Sequence, residues 1–114
     1  FKASTQNIMD INYNEHTYDT LKPGGEVTTV NREMANTIVN TSCEHITNFS
    51  KWYDLIPNGK LVVLQSNNYY EIEEHVNCSN SLEQFSASAP MKEVLYEGEL
   101  DLGQYTRYMK IGRK

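Results

Sequence analysis

The sequence predicts an α/β fold: an open sheet with parallel strands and flanking helices, finished by a C-terminal antiparallel β-hairpin. Three observations lead there. Two short apolar runs, Thr37-Ile38-Val39-Asn40 and Leu61-Val62-Val63-Leu64, each end in a cluster of polar side chains. A helical pattern follows each run. The tail then alternates apolar and polar residues with period two around a glycine-containing turn. Ligands of open α/β sheets sit beyond the carboxyl ends of the strands, so the two polar clusters mark the expected site.

The elements follow in chain order. Phe1–Ile8 alternates loosely and predicts a strand ending at Gln6-Asn7. Met9–Tyr18 is polar, with Ile11, Tyr13 and Tyr18 as anchors. Pro23-Gly24-Gly25 is a turn signal between two extended pieces, Tyr18–Leu21 and Glu26–Val30, which predict a minor hairpin. Asn31–Ala35 predicts one helical turn. Thr37–Asn40 is the first clear strand. Thr47 or Asn48 can cap the helix after it. Phe49, Trp52, Tyr53 and Ile56 fall at i, i+3, i+4 and i+7, which is one helical face. Pro57-Asn58-Gly59 stops that helix. Leu61–Leu64 is apolar on both faces, as a central strand requires. Ser81 with Gln84 reads as a capping box, and Leu82, Phe85 and Ala89 form the buried stripe of the helix it opens. Glu93–Leu100 and Tyr105–Ile111 predict the closing hairpin.

The bulk numbers bound the answer. A chain of 114 residues makes a single domain with a modest core. Eight tyrosines supply much of its bulk. The net charge is −5 and no basic block exists to follow a phosphate backbone, which argues against generic nucleic-acid binding. No apolar run approaches the roughly 20 residues of a membrane span. No signal peptide is visible, and Phe1 in place of Met places the expected start of the protein further upstream. Cys43 and Cys78 lack metal-type spacing and read as free thiols of a reducing, cytoplasmic setting. Sequons at Asn40, Asn48 and Asn77 carry no weight in so asparagine-rich a chain.

The local sequence resembles the class I methyltransferases that use S-adenosylmethionine, small bacterial and phage-type members above all. The run from Thr37 to Ile46, TIVNTSCEHI, resembles the family's fourth strand and the loop after it. GKLVVLQSNNYY, from Gly59, resembles the fifth. EVLYEGELDL and YTRYMKIGRK resemble the closing sixth and seventh, and FKASTQNI resembles the third. The resemblance therefore implies a partial Rossmann-like methyltransferase sheet. The family's glycine-rich turn and the acidic residue that holds the ribose fall before Phe1 on this mapping. Gly24-Gly25 is no substitute, because no apolar strand precedes it and no helix follows. The chain thus resembles the carboxyl-terminal half of a methyltransferase.

The resemblance also assigns residues. Gln6 and Asn7 stand where the family contacts the adenine of the cofactor; the plainer reading of Asn7 is a strand end or turn cap. Asn40, Thr41 and Ser42 stand where some members carry an Asn/Asp-Pro-Pro-aromatic motif. Both prolines are missing here, so amino-methyl transfer to DNA is not implied, and Asn40 is left to shape the loop near the methionine end of the cofactor. Glu44 and His45 form the natural catalytic base pair, against the alternative of two solvated side chains at a helix start. Cys43 lies among them as a small thiol with nothing to activate it as a nucleophile, and is expected to contact the acceptor instead.

Asn67, Asn68, Tyr69 and Tyr70 follow the central strand and offer donors, acceptors and stacking faces to a small-molecule or nucleotide-like acceptor. Glu73 to Cys78 then reads as a lid or an ordinary polar loop. His45 and His75 with Glu44, Glu73 and Glu74 fit no recognised ligand spacing, so no metal is expected. One alternative is a non-catalytic α/β module that pairs with a partner or with itself along the exposed edge of the Thr37–Asn40 strand. Another is a small binding protein of similar element order, in which the hairpin need not pair beside Leu61–Leu64. The methyl-transfer reading requires the peptides after Asn40 and Gln65 to emerge at one rim of one sheet.

Overall fold

The structure is a computed structural model that describes residues 3–21, 24–25 and 27–114, with residues 16–21 and 27–33 described through their backbone. The chain divides into two compact units, Phe1–Ala35 and Asn36–Lys114.

In the first unit the expected strand over Phe1–Ile8 does not form across its described part. Residues 3–7 are irregular and lead into a 3-10 turn, Ile8–Asp10. Asn7 starts that turn: its side-chain oxygen accepts from the Met9 amide at 3.0 Å. An amide that caps a turn locally competes with strand pairing, which explains the difference. The hairpin does form and is longer than expected. Strands β1 (His16–Leu21) and β2 (Val27–Glu33) pair antiparallel from His16↔Glu33 to Leu21↔Val27, with an irregularity at Thr20/Leu21. Residues 31–33 therefore extend β2 instead of making a helical turn. Gly24 and Gly25 both have positive φ, +102° and +88°, between the two strands. They serve a hairpin connection, which side chains on Cβ would strain.

The second unit is an α/β layer. Strands β3 (Thr37–Asn40), β4 (Leu61–Asn67), β5 (Glu93–Asp101) and β6 (Thr106–Arg113) form one mixed sheet in the order β3-β4-β6-β5. The β3/β4 pair is parallel, Thr37↔Leu61 to Asn40↔Leu64. β6 pairs antiparallel with β4, from Leu61↔Arg113 to Asn67↔Arg107, and with β5 on its other side. The hairpin thus docks beside Leu61–Leu64 through its second arm. Gly103 (φ +89°) opens its loop, and the Leu102 amide donates to the Tyr105 carbonyl at 2.9 Å.

Two helices, α1 (Phe49–Asp54) and α2 (Leu82–Ser88), connect these strands. The α2 cap forms as expected: Ser81 Oγ accepts from the Gln84 amide at 3.1 Å. The Gln84 side chain reaches back to the Asn80 amide, one residue earlier than a standard capping box. Asn48 precedes α1 without a side-chain cap bond. Of the predicted stripes, Leu82 is only half-buried, while Phe49, Trp52 and Tyr53 in α1, Ile56 just past it, Phe85 in α2 and Ala89 at its end are buried. They meet the sheet face of Val62, Leu64 and Tyr108; the Phe85 and Tyr108 rings stack at 6.2 Å. Tyr53 donates to the Pro90 carbonyl at 2.7 Å, which ties the first helix to the end of the second.

Both helices lie over this one face. The opposite face of the same unit carries Val39 and Tyr96, 61% and 51% exposed, beside half-buried Val63, Met109 and Ile111. β4 is therefore fully buried on one side only. No helix among the described residues is long and apolar enough to cross a membrane.

Candidate functional site

Parallel pairing of β3 with β4 sends both chains out at the same rim. β3 leaves through Asn40, whose Oδ1 accepts from the Ser42 amide at 2.9 Å and turns the backbone sharply. A 3-10 turn, Cys43–His45, follows. It turns Cys43 and Glu44 inward and leaves His45 exposed. Cys43 has 0% exposure and its thiol lies 3.6 Å from the Asn40 carbonyl. Burial pushes that thiol up to about 12, with the Glu44 charge adding to the effect. Cys43 thus lies beneath the rim, away from any molecule in the crevice, and is held as the neutral thiol.

Asn67 ends β4 and organises the rim. Its Nδ2 donates to Glu44 Oε1 at 3.0 Å. Its Oδ1 takes the Tyr69 amide at 3.1 Å and the Cys78 thiol at 3.5 Å. A carboxylate only accepts and a backbone amide only donates, so both ends of the Asn67 amide are fixed in orientation. Glu44 and Asn67 are 4% and 2% exposed. Glu44 Oε2 is also buried yet has no hydrogen-bond partner among the described residues. An unsatisfied carboxylate oxygen costs free energy that a bound donor or cation would recover.

The β4–α2 loop closes over this pair. The Asn77 amide donates to the Glu44 carbonyl at 2.9 Å and its side chain to the Cys43 carbonyl at 3.1 Å. His75 is drawn in beside them. Its Nδ1 lies 2.7 Å from the Tyr69 carbonyl, and its Nε2 lies 4.0 Å from Glu44 Oε1. His45 Nε2 approaches the same oxygen at 3.9 Å. A cleft of about 360 Å³ opens here, lined by Glu44, Asn67, Tyr69 and His75 with Gln104, Tyr105 and Arg107 among others.

The sequence-predicted residues separate in this geometry. Glu44, His45, Asn67 and Tyr69 converge. Asn68 does not: its amide and Oδ1 bond the Thr106 backbone at 3.2 and 2.8 Å, extending the β4–β6 ladder. Tyr70 is half exposed and donates to Asn80 at 2.5 Å. Thr41 and Ser42 are exposed beside the rim, with the Thr41 carbonyl accepting from Arg107 at 3.2 Å. Gln6 and Asn7 belong to the other unit, where Asn7 spends its side-chain oxygen on the turn cap. Glu73 and Glu74 are exposed and stay outside the cluster.

Tyr105, Gln104 and Arg107 are cleft residues that the strand-tip rule missed. The signal for them is antiparallel return: a last strand that runs back along β4 starts where β4 ends. Tyr105 packs edge-on to Tyr69 at 5.0 Å, and Arg107 reaches Gln65 Oε1 at 2.9 Å.

No family model matches the chain, and no curated protein or solved structure does so either.

Proposed function

We propose that this chain forms the acceptor side of an S-adenosylmethionine-dependent methyltransferase acting on a small-molecule or nucleotide-like acceptor. The observation that carries the reading is the shared rim. The buried Glu44 carboxylate comes from the β3 tip, and its partner Asn67 and neighbour His75 come from the β4 tip. The sheet supports it too: a parallel pair finished by an antiparallel hairpin is the order that the sequence resemblance implies.

The residues fit the cofactor only in part. The Asn40–Ser42 turn and the polar rim suit its methionine end. Its nucleoside end has no cradle among the described residues: Gly24-Gly25 joins two antiparallel strands, and the Asn7 oxygen is already engaged. S-adenosylmethionine, when bound, supplies an electrophilic methyl group. The chain's own residues do the rest. Tyr69 and Tyr105 offer ring faces to a planar acceptor. Asn67 holds Glu44 in place, and the free Oε2 accepts the acceptor's proton. Burial of the pair keeps water from competing.

Titration calorimetry of the protein with S-adenosylhomocysteine tests the reading, followed by methyl-transfer assays. The expected result is saturable binding, with Glu44→Gln lowering kcat by about 10²–10⁴-fold at an unchanged melting temperature. Absence of binding, or full activity in Glu44→Gln, would overturn it. A second reading is a non-catalytic module that pairs along β3. It is favoured by one observation: among the described strands β3 has a neighbour on one side only. A concentration-dependent dimer without cofactor binding would be its signature.

A further inference from the structure

The Glu44 cluster holds more than a proton acceptor needs. His75 Nδ1 faces the Tyr69 carbonyl at 2.7 Å. A carbonyl oxygen only accepts, so the ring proton sits on Nδ1 and Nε2 of the neutral ring carries a lone pair. Nε2 lies 4.0 Å from Glu44 Oε1, itself a lone-pair atom. His45 Nε2 adds a third at 3.9 Å, and the two imidazoles meet edge to face at 4.6 Å. One ligand atom from each of the three side chains lies within 4.8 Å of the other two. Asn67 supplies a donor to Oε1 and none reaches Oε2 among the described residues. Lone pairs that converge this way, in side chains mostly withdrawn from water, call for a cation.

We infer that Glu44, His45 and His75 bind one divalent first-row transition-metal ion, with Zn2+ the best match to two imidazoles and a carboxylate. The outer contacts are those a metal site uses. The Tyr69 carbonyl fixes the tautomer and direction of His75, and Asn67 orients the carboxylate. Donors about 2.1 Å from an ion stand roughly 3.4 Å apart in a tetrahedron, so the set closes by about 1 Å on loading. His45, with 44% of its side chain exposed, has room to turn inward. Spacing alone sets these residues aside, because His75 lies 30 residues beyond His45; the parallel β3/β4 pair and the Asn77 bonds of the following loop unite them.

Three protein ligands leave an open position, and the cleft that Glu44 and His75 line is where an oxygen could fill it. An acceptor hydroxyl bound there would release its proton to water near neutral pH, leaving a nucleophilic oxygen on the ion. In that case Glu44 serves as ligand in place of base. This role rests on the methyl-transfer reading; the metal site does not.

The test uses the 114-residue chain stripped with EDTA, titrated calorimetrically with ZnCl2 and, in parallel, with CoCl2 followed by visible absorption. The expected result is one ion per chain and a Co2+ d–d band displaced by Zn2+. His45→Ala, at an exposed position that spares the fold, should weaken affinity by at least 10-fold, and Asn67→Ala by about 10–100-fold. Glu74→Gln, at an exposed position outside the cluster, should leave affinity and the Co2+ band unchanged. Absence of stoichiometric binding, or binding that persists in both His45→Ala and His75→Ala, overturns the site. Metal binding without S-adenosylhomocysteine binding keeps the site and removes methyl transfer. Methyl transfer that is undiminished in the EDTA-stripped chain, alongside intact metal binding, removes only the ion's proposed part in the reaction.

Discussion

Lys110 lies in the core with 3% exposure, and its placement follows from where helix ends need donors. The last carbonyls of a helix have no internal partner. Lys110 Nζ donates to the Ser86 and Ala89 carbonyls at the end of α2, each at 2.9 Å, and stands 3.6 Å from Glu97. Lys114 does the same for the first helix, donating to the Tyr53 and Ile56 carbonyls at 2.8 and 2.6 Å. Lys110→Met keeps the aliphatic stem but takes the amine from the buried Ala89 carbonyl; the Ser86 carbonyl keeps the Ala89 amide at 3.2 Å, and Glu97 keeps the Ser86 hydroxyl. Stability should fall by about 1–3 kcal/mol, as the loss of buried partners predicts, read as a shift in the urea midpoint. An unchanged midpoint would mean that water replaces the amine. None of this was legible beforehand. The alternation of Tyr105–Ile111 assigns a strand, but not which polar residue on it turns inward.

At the scale of elements, hydropathy located what packing decides and missed what pairing decides. Thr37–Asn40 stands as expected because its β-branched residues fit a half-buried ladder. Leu61–Leu64 extends by three polar residues, Gln65 to Asn67, held by backbone bonds to β6 that no apolar pattern announces. Glu33 joins β2 for the same reason, through its pairing with His16. Phe49, Trp52, Tyr53, Ile56 and Phe85 were legible because helix burial follows side-chain period. The strand-tip rule found Glu44 and Asn67. It could not find that His75 folds back to them, since a loop's return path is set by bonds such as Asn77 to Cys43. Gly112 shows how tightly the strands close. A Cβ there would strike the Glu93 carbonyl and the Met91 sulfur. Backbone cannot yield cheaply, so Gly112→Ala should destabilise by about 1–3 kcal/mol, as overpacking does. Amide exchange would check it: faster exchange along β5 and the adjoining end of β6 is expected, and an unperturbed hairpin would contradict the close approach.

For the whole molecule, the buried acids set a limit on the alkaline side. The Cys43 thiol and the Tyr53 phenol are both pushed up to about 12 by burial, from ordinary values of 9.0 and 10.0. Cys78 and Tyr108 move in the same direction. Between the ordinary and the raised values, the unfolded chain has released protons that the folded chain retains. The folded state then binds more protons, so stability falls as pH rises. Stability from these groups is full below about pH 9 and is lost progressively toward pH 12. Lys114 acts oppositely, its value lowered by desolvation, but it is one partly exposed amine against several buried groups. Urea midpoints should therefore decline from about pH 9 toward pH 12, and Cys43→Ala should soften the early part of the decline. A flat profile would contradict the burial of the thiol.

The one-sided roof over the sheet has a broader consequence. Val39 and Tyr96 sit on a hydrocarbon wall that water wets within residues 36–114. Only half of the lamination available to such a sheet is used, so its strands hold together more by their ladder than by compression between layers. Solutes that raise the free energy of wetted hydrocarbon, such as sulfate or sucrose, will firm this layer more than one sheltered on both sides.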